Sequence, residues 1–410
     1  MHLARAYDPT PNLLTLRGFL DIKILFLINK YPNHGGTEVV TTVLANAFVN
    51  RGHSVSIVSF EQLVPELLEQ LDDRVRFHPM SHPFARKENQ LKLHGLLVEE
   101  GTDFILNQWC LPFYVTRFCR AAMRGTNCKL LAVHHNAPDQ NSLLNGVRIQ
   151  LDSTHSHIRK VGLRLKLCAL SVATILSMRL VYRNSDRYVV LSESFVSLFR
   201  QFTKIGSTSK LAVIGNPLTL DTREFQYNAD SKEKLIIYVG RIDHNQKRVE
   251  RVIDTWERIA PDLLDWRLEI VGDGPERERL EELALAKALP RVSFEGFQDP
   301  VDYYKRASIL LLTSEYEGFG LVIVEAMAFG CVPIVYGSYS AVYDIIENAK
   351  DGFIVPTPYD AGIYSNCVKL LAEGRDIRDL LARNGLARAK EFSVEHVVRK
   401  WEQVFEVSSS

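Results

Sequence analysis

The chain has no C-x-x-C pair; its six cysteines, Cys110, Cys119, Cys128, Cys168, Cys331 and Cys367, are scattered over 410 residues. That spacing argues against a disulfide framework and a structural zinc site, and favours a reducing compartment. No D-x-D and no G-x-x-x-x-G-K-[ST] phosphate loop occurs anywhere. His78 and His82 are four apart, but Pro79 and Pro83 argue against a metal pair on a helix. The apolar stretch Leu167–Met178 is 12 residues long, short of the ~20 that span a bilayer. Residues 1–21 lack the continuous apolar run of a secretory signal. Net charge is also missing: 49 basic residues balance 49 acidic ones, which sets aside a nucleic-acid binder on electrostatic grounds. Collagenous, disordered, secreted and transmembrane classes are therefore not expected.

What is present is the composition of a folded α/β protein, 46% hydrophobic and 24% charged, with length enough for two domains. The neutral total hides an asymmetry. Residues 1–215 carry 25 basic and 16 acidic side chains, and residues 216–410 carry 24 and 33. Between Ser153 and Ser185 there are six basic residues (Arg159, Lys160, Arg164, Lys166, Arg179, Arg183) and no acid. Such a stretch suits either an anionic membrane surface or a core helix with a solvated basic rim.

Short apolar runs alternate with helical stretches. Strands are expected at Ile22–Ile28, Ser54–Ser59, Phe104–Leu106, Leu130–His134, Tyr188–Leu191 and Leu211–Ile214. A second set falls at Leu235–Val239, Leu268–Val271, Val292–Phe294, Ile309–Leu312 and Val332–Val335. Helices between them, such as Thr37–Val49, imply right-handed crossovers and parallel sheets. We expect an extension at 1–21, a first Rossmann-like domain at 22–215, a second at 216–392, and a terminal helix and tail at 393–410. In that helix Val394, Val397, Val398, Trp401 and Phe405 form one buried stripe. Ligands of such sheets bind past the carboxyl ends of the strands, so two facing domains make a cleft.

The densest chemical signal is Ser314-Glu315-Tyr316-Glu317-Gly318-Phe319-Gly320-Leu321-Val322-Ile323-Val324-Glu325-Ala326. A strand runs into a glycine-bearing loop and then a helix, so the amides of Phe319, Gly320 and Leu321 and the helix dipole are offered to an anion. Glu317 precedes the helix and Glu325 lies inside it. Two carboxylates beside an anion site suit a ligand with a diphosphate between two hydroxylated sugars, because carboxylates accept from sugar hydroxyls. Arg241 and Lys247, after the first strand of the second domain, supply the fork and point charge that a pyrophosphate takes. Gly35-Gly36 follows the first strand, where glycine lets a backbone approach a phosphate. Gly272-x-Gly274 follows a strand too, but Arg277 stands where a dinucleotide fingerprint needs Gly or Ala, which argues against a nicotinamide cofactor.

This pattern resembles the E-x7-E signature of retaining GT-B glycosyltransferases, most closely family 4 (group 1). The resemblance runs from Lys23 onward and is strongest over Val213–Pro356. It includes Val239-Gly240-Arg241-Ile242-Asp243, Ile270-Val271-Gly272-Asp273-Gly274-Pro275 and Asp351-Gly352-Phe353-Ile354-Val355-Pro356. In the first half it includes Gly35-Gly36-Thr37-Glu38, His134-His135-Asn136 and Val190-Leu191-Ser192-Glu193. The resemblance implies a GT-B fold, two domains facing across a cleft, with the terminal helix crossing back to the first. It also implies a nucleotide-sugar donor, a glycan or lipid-linked acceptor, no cofactor and no metal. Arg241, Lys247, Glu317 and His135 match the catalytic positions, with His134 an open neighbour. Gly36, Phe319, Gly320, Leu321 and Glu325 match the donor-binding ones. A cytoplasmic enzyme with peripheral contact on the inner membrane face, acting in polysaccharide or glycolipid assembly, is the expectation. The competing readings are a non-catalytic GT-B subunit that scaffolds a partner and a phosphorylase-like enzyme with lysine-bound pyridoxal phosphate.

Overall fold

A computed structural model describes residues 21–409. The expected extension lies outside these residues except for Asp21. The first sheet contains β1 (Lys23–Lys30), β2 (Ser54–Glu61), β3 (Arg76–Pro79), β4 (Phe104–Asn107), β5 (Lys129–His134), β6 (Arg187–Val190) and β7 (Leu211–Val213). The second contains β8 (Leu235–Val239), β9 (Arg267–Val271), β10 (Val292–Gly296), β11 (Ile309–Leu312), β12 (Val332–Tyr336) and β13 (Phe353–Val355). The orders are β3-β2-β1-β4-β5-β6-β7 and β10-β9-β8-β11-β12-β13, and every paired strand is parallel. These are two Rossmann-like sheets of the GT-B architecture.

The central strands read as near-continuous apolar runs because helices cover both faces of each sheet. In β1, Ile24 to Ile28 are all buried. All the expected strands form, with ends shifted by no more than two residues. Periodicity missed β3 and β13. In β3 the sequence Arg-Phe-His-Pro has one apolar residue and a proline, tolerated because the strand lies at a sheet edge. β13 has three residues, too few to show a period.

Two features join the sheets. One apolar cluster takes Tyr188, Leu191, Phe195 and Phe199 from the first and Phe319, Ile323, Tyr339, Val342 and Ile345 from the second. Beside it Asp344 accepts from Ser192 Oγ and, at 2.9 Å, from Ser194 N. The Val190–Glu193 motif is thus a link between lobes.

The terminal helix, Val394–Ser409, crosses to the first lobe as expected. Val397, Val398, Trp401 and Phe405 join a cluster with Phe26, Phe48 and Phe104, and Phe405 stacks on Phe104 at 4.7 Å between centroids. Glu402 fixes its register, taking a bidentate pair from Arg51 at 2.6 and 2.7 Å and His53 Nε2 at 3.1 Å. Trp401→Ala is expected to cost about 3–5 kcal/mol through lost burial and a cavity, read as a lower denaturant midpoint at unchanged slope.

Candidate active site

In each sheet the strand order reverses beside a central strand, β1/β4 in the first and β8/β11 in the second, and the crevice opens past their carboxyl ends. The loops and one helix there hold the nine candidate catalytic and donor-binding residues. Gly36 follows β1 and opens the helix Gly36–Asn50; His135 follows β5; Arg241 and Lys247 follow β8; Glu317 follows β11. Glu325 sits in the helix Leu321–Ala328, whose N-cap is Gly320 at φ 100°. Gly36, His135, Arg241, Lys247, Glu317, Phe319, Gly320, Leu321 and Glu325 all line one cavity of about 580 Å³ between the lobes.

The two carboxylates differ in their partners. Glu325 is buried, accepting from Thr219 Oγ1 at 2.6 Å and from Tyr304 OH at 3.1 Å. Burial raises its pKa, and the two hydroxyl donors partly offset that. Glu317 Oε1 is paired with Lys247 Nζ at 2.6 Å, so that ammonium is held on the cavity wall. Arg241 reaches Asp243 at 3.4 Å and keeps a side chain that is 59% exposed toward the cleft. The Phe319 ring is buried against Phe392, which anchors the loop that carries its amide. Ile323 N bonds back to Gly320 O, so the free amides of the helix start end at Val322.

Gly272 has a positional cause unrelated to nucleotide fingerprints. At φ 141° its added Cβ would lie 1.9 Å from Gly240 O, so only glycine lets the β9 loop support the Arg241 loop.

Of the two histidines, His134 is buried, with Nδ1 at 2.6 Å from Tyr188 OH. His135 lines the 580 Å³ cavity and a neighbouring one of about 430 Å³ that shares Arg241 and Glu317 with it. His135 Nε2 bonds to Gln108 Oε1. Desolvation lowers His134 to about 4 and His135 to about 3, the latter aided by repulsion from His134. Both rings are therefore neutral near pH 7. His135 must carry its proton on Nε2 to donate to Gln108, which leaves Nδ1 as an acceptor, buried and without a hydrogen-bond partner among the described residues. An unfolded chain protonates these rings below about pH 6.5 while the fold holds them neutral, so their contribution to stability falls as pH drops from that value.

Reasoning from sequence missed Gln108, Thr219 and Tyr304. Gln108 follows β4, at a switch point where any polar residue is a candidate, and that rule would have found it. Thr219 lies in the segment between the sheets and Tyr304 in the helix Val301–Arg306, far in sequence from the carboxylate they hold. Neither carries a local signal.

Residues 34–222 match Glycosyltransferase Family 4, and residues 221–388 match Glycosyl transferases group 1. The N-acetyl-alpha-D-glucosaminyl L-malate synthase of Bacillus anthracis is 24% identical over 94% of this chain and 97% of its own. A Campylobacter jejuni GalNAc-alpha-(1->4)-GalNAc-alpha-(1->3)-diNAcBac-PP-undecaprenol alpha-1,4-N-acetyl-D-galactosaminyltransferase is 25% identical over 93% and 97%. Anabaena HepE, solved in complex with UDP-glucose, superposes with a TM-score of 0.70 at 20% identity, covering 95% of this chain and 99% of that one. Two parallel Rossmann-like lobes around this cleft are the GT-B fold. The chain belongs to the group 1, family 4-like glycosyltransferases.

The tautomer is directly testable. The ring signals of His135 should not titrate between about pH 5 and 8. Gln108→Glu puts a carboxylate against Nε2–H and should bring that titration upward, toward the window. Nitrogen-15 NMR of the imidazoles reads both. A wild-type ring titrating near 6.5 would contradict the geometry.

Proposed function

We propose that this glycosyltransferase is retaining and moves a sugar from a nucleoside-diphosphate sugar, UDP favoured, to a carbohydrate or lipid-linked acceptor. The observation that carries the reading is the convergence of Arg241 and Lys247, from the loop after β8, with Glu317 and Glu325, from the loop and helix after β11, on one interlobe cavity. Support for UDP comes from HepE, solved with UDP and with UDP-glucose. Support for the acceptor class comes from the Campylobacter relative, whose name specifies an undecaprenol-linked glycan. In this reading the enzyme serves surface polysaccharide or glycolipid assembly on the cytoplasmic side.

In this reading Glu325 accepts from the ribose hydroxyls while Thr219 and Tyr304 keep the carboxylate oriented. Arg241, Lys247, the Gly36 backbone and the first amides of the helix Leu321–Ala328 surround the diphosphate. His135 and Glu317 orient the transferred sugar, His135 through the lone pair on Nδ1. The acceptor oxygen bonds to the anomeric carbon on the face from which the β-phosphate departs, and the carbon–oxygen bond to that phosphate breaks. The acceptor proton passes to a phosphate oxygen. No protein nucleophile takes part. Charge that builds on the leaving diphosphate is met by groups that the fold itself positions: Lys247 is held at 2.6 Å from Glu317. Those cations take the role that a metal has in other transferases.

Arg241→Ala and Lys247→Ala should each lower turnover about 10²–10³-fold with thermal unfolding little changed. The assay is nucleoside diphosphate released by the purified chain across a panel of nucleotide sugars, with product anomeric configuration read by NMR. Release by the chain alone also separates an enzyme from a scaffolding subunit. Full turnover in both variants would sink the assignment.

A further inference from the structure

The apolar stretch Leu167–Met178 lies within one helix, His157–Asn184, of 28 residues. By length and composition alone that helix could cross a membrane, a possibility hidden in the sequence by Lys166 and Arg179 at the ends of the stretch. Its packing says otherwise. Met178, Val181 and Tyr182 are buried in the core cluster shared with Tyr188 and Phe199. Arg179 Nε donates to Thr203 O, and Tyr182 OH donates to Ser207 O at 2.8 Å. One side of the helix is a wall of the first lobe.

The opposite side is uncovered. Ile158, Val161, Leu165, Val172, Leu176 and Leu180 are exposed, from 37% to 88%. Their spacing of three, four, seven, four and four residues places them on one stripe. Val172 and Leu176 stand across the helix from the buried Met178. Of the six arginines and lysines in this segment, Arg159, Arg164 and Lys166 flank the stripe and Arg183 lies on it, all four exposed, with no acid between Ser153 and Ser185. A face that combines apolar side chains with a purely cationic margin is complementary to an anionic lipid surface, and it would repel a second copy of itself.

The same helix borders the cleft. Thr174 Oγ1 accepts from Asn141 Nδ2 at 3.3 Å, and Ser177 Oγ accepts from Phe113 N at 2.9 Å. Asn141 lines the 430 Å³ cavity, and so does Leu111, two residues before Phe113. Trp109, also in that lining, is the start of an aromatic run through Phe84 to Tyr114, with centroids 5.0 and 5.5 Å apart. Tyr114 is 48% exposed.

We propose that the outer face of His157–Asn184 lies flat on an anionic membrane, and that the 430 Å³ cavity takes its acceptor from that surface, as a lipid-linked molecule. The membrane face stands on its own observations; the acceptor step rests on the glycosyltransfer reading above. Apolar side chains enter the headgroup boundary, the basic margin meets lipid phosphates, and the buried side stays in the domain. The hydrogen bonds to Asn141 and Phe113 hold the cavity lining at a fixed distance from the bilayer.

The test uses the full chain with phosphatidylcholine vesicles, with and without phosphatidylglycerol, at low and high salt. The protein should float with the phosphatidylglycerol vesicles at low salt and stay in solution with phosphatidylcholine alone. R159E/R164E/K166E and L165S/L176S should each partition at least about tenfold more weakly. The shift in melting temperature caused by UDP, which reports the donor cavity, should be retained in both. The L176W variant should show blue-shifted emission on anionic vesicles. Equal flotation with both lipids, no flotation at low salt, or an emission of L176W that vesicles leave unshifted would overturn the membrane face. So would sedimentation showing a dimer that L165S/L176S dissociates. If the face holds but soluble and lipid-linked forms of an acceptor turn over equally on vesicles, the acceptor step is overturned while both the membrane face and the transferase reading stand.

Discussion

The cavity depends on two independently wound sheets meeting at their carboxyl ends, and at one point of close approach the contact is backbone. A Cβ on Gly318 would lie 2.1 Å from the carbonyl oxygen of His135. Across the same gap Gly36 lies against Leu321, with 3.4 Å between its hypothetical Cβ and Leu321 Cδ1. A side chain at Gly318 would hold the lobes apart, whereas a Cβ at Gly36 would only touch the tip of Leu321. Distance matters here because preorganised cations stabilise a leaving phosphate only when they already occupy the right positions. Arg241 and Lys247 come from one lobe and the Gly36 helix from the other, so the separation of the lobes sets the separation of the charges.

The brace for that approach is at the far side of the first sheet. The helix Val394–Ser409 belongs to the chain after the second sheet but is buried among residues of the first. Buried ion pairs give little net stability, since desolvation offsets most of the attraction. What the Glu402 carboxylate supplies, bound by both Arg51 and His53, is register: slipping by one turn would leave it unpaired among apolar side chains. Apolar burial by Trp401 and Phe405 provides the driving force, and the ion pair selects one docked arrangement.

Much of this was legible before any coordinates. Parallel β-strands buried on both faces must be apolar throughout, so β1, β8 and β11 announce themselves, and loops at their ends inherit the site by topology. Glu317 and Glu325 are eight apart on one loop and helix, a spacing that sequence displays directly. Groups that position others are harder to see. Thr219 and Tyr304 reach Glu325 from 106 and 21 residues away. Nothing local distinguishes either from an ordinary polar residue. The Asp351–Pro356 motif is an instructive misfit: Asp351 accepts from Glu347 N at 2.9 Å and Gly352 packs on Pro333, so its job is to support β13 rather than to touch the cavity. Motif strength reports constraint, and constraint includes architecture.

The two lobes divide the chemistry by charge. In the 430 Å³ cavity the first lobe contributes Gln108, Trp109, His134, His135, Asn136, Gln140 and Asn141 among its lining, none of them charged at neutral pH, while the second contributes Arg241 and Glu317. The histidines are the test of that division, because either could carry a proton. Protonating His135 would bury a cation beside another imidazole, across the cavity from Arg241, with Gln108 able to offer only a neutral oxygen in return. Desolvation therefore decides the matter, and the ring stays neutral. A neutral acceptor lone pair discriminates between hydroxyl patterns by geometry, whereas a cation would draw any phosphate in reach. Strong, unselective attraction is thereby confined to the lobe with Arg241 and Lys247, and the opposite wall is left to select by shape and hydrogen bonding.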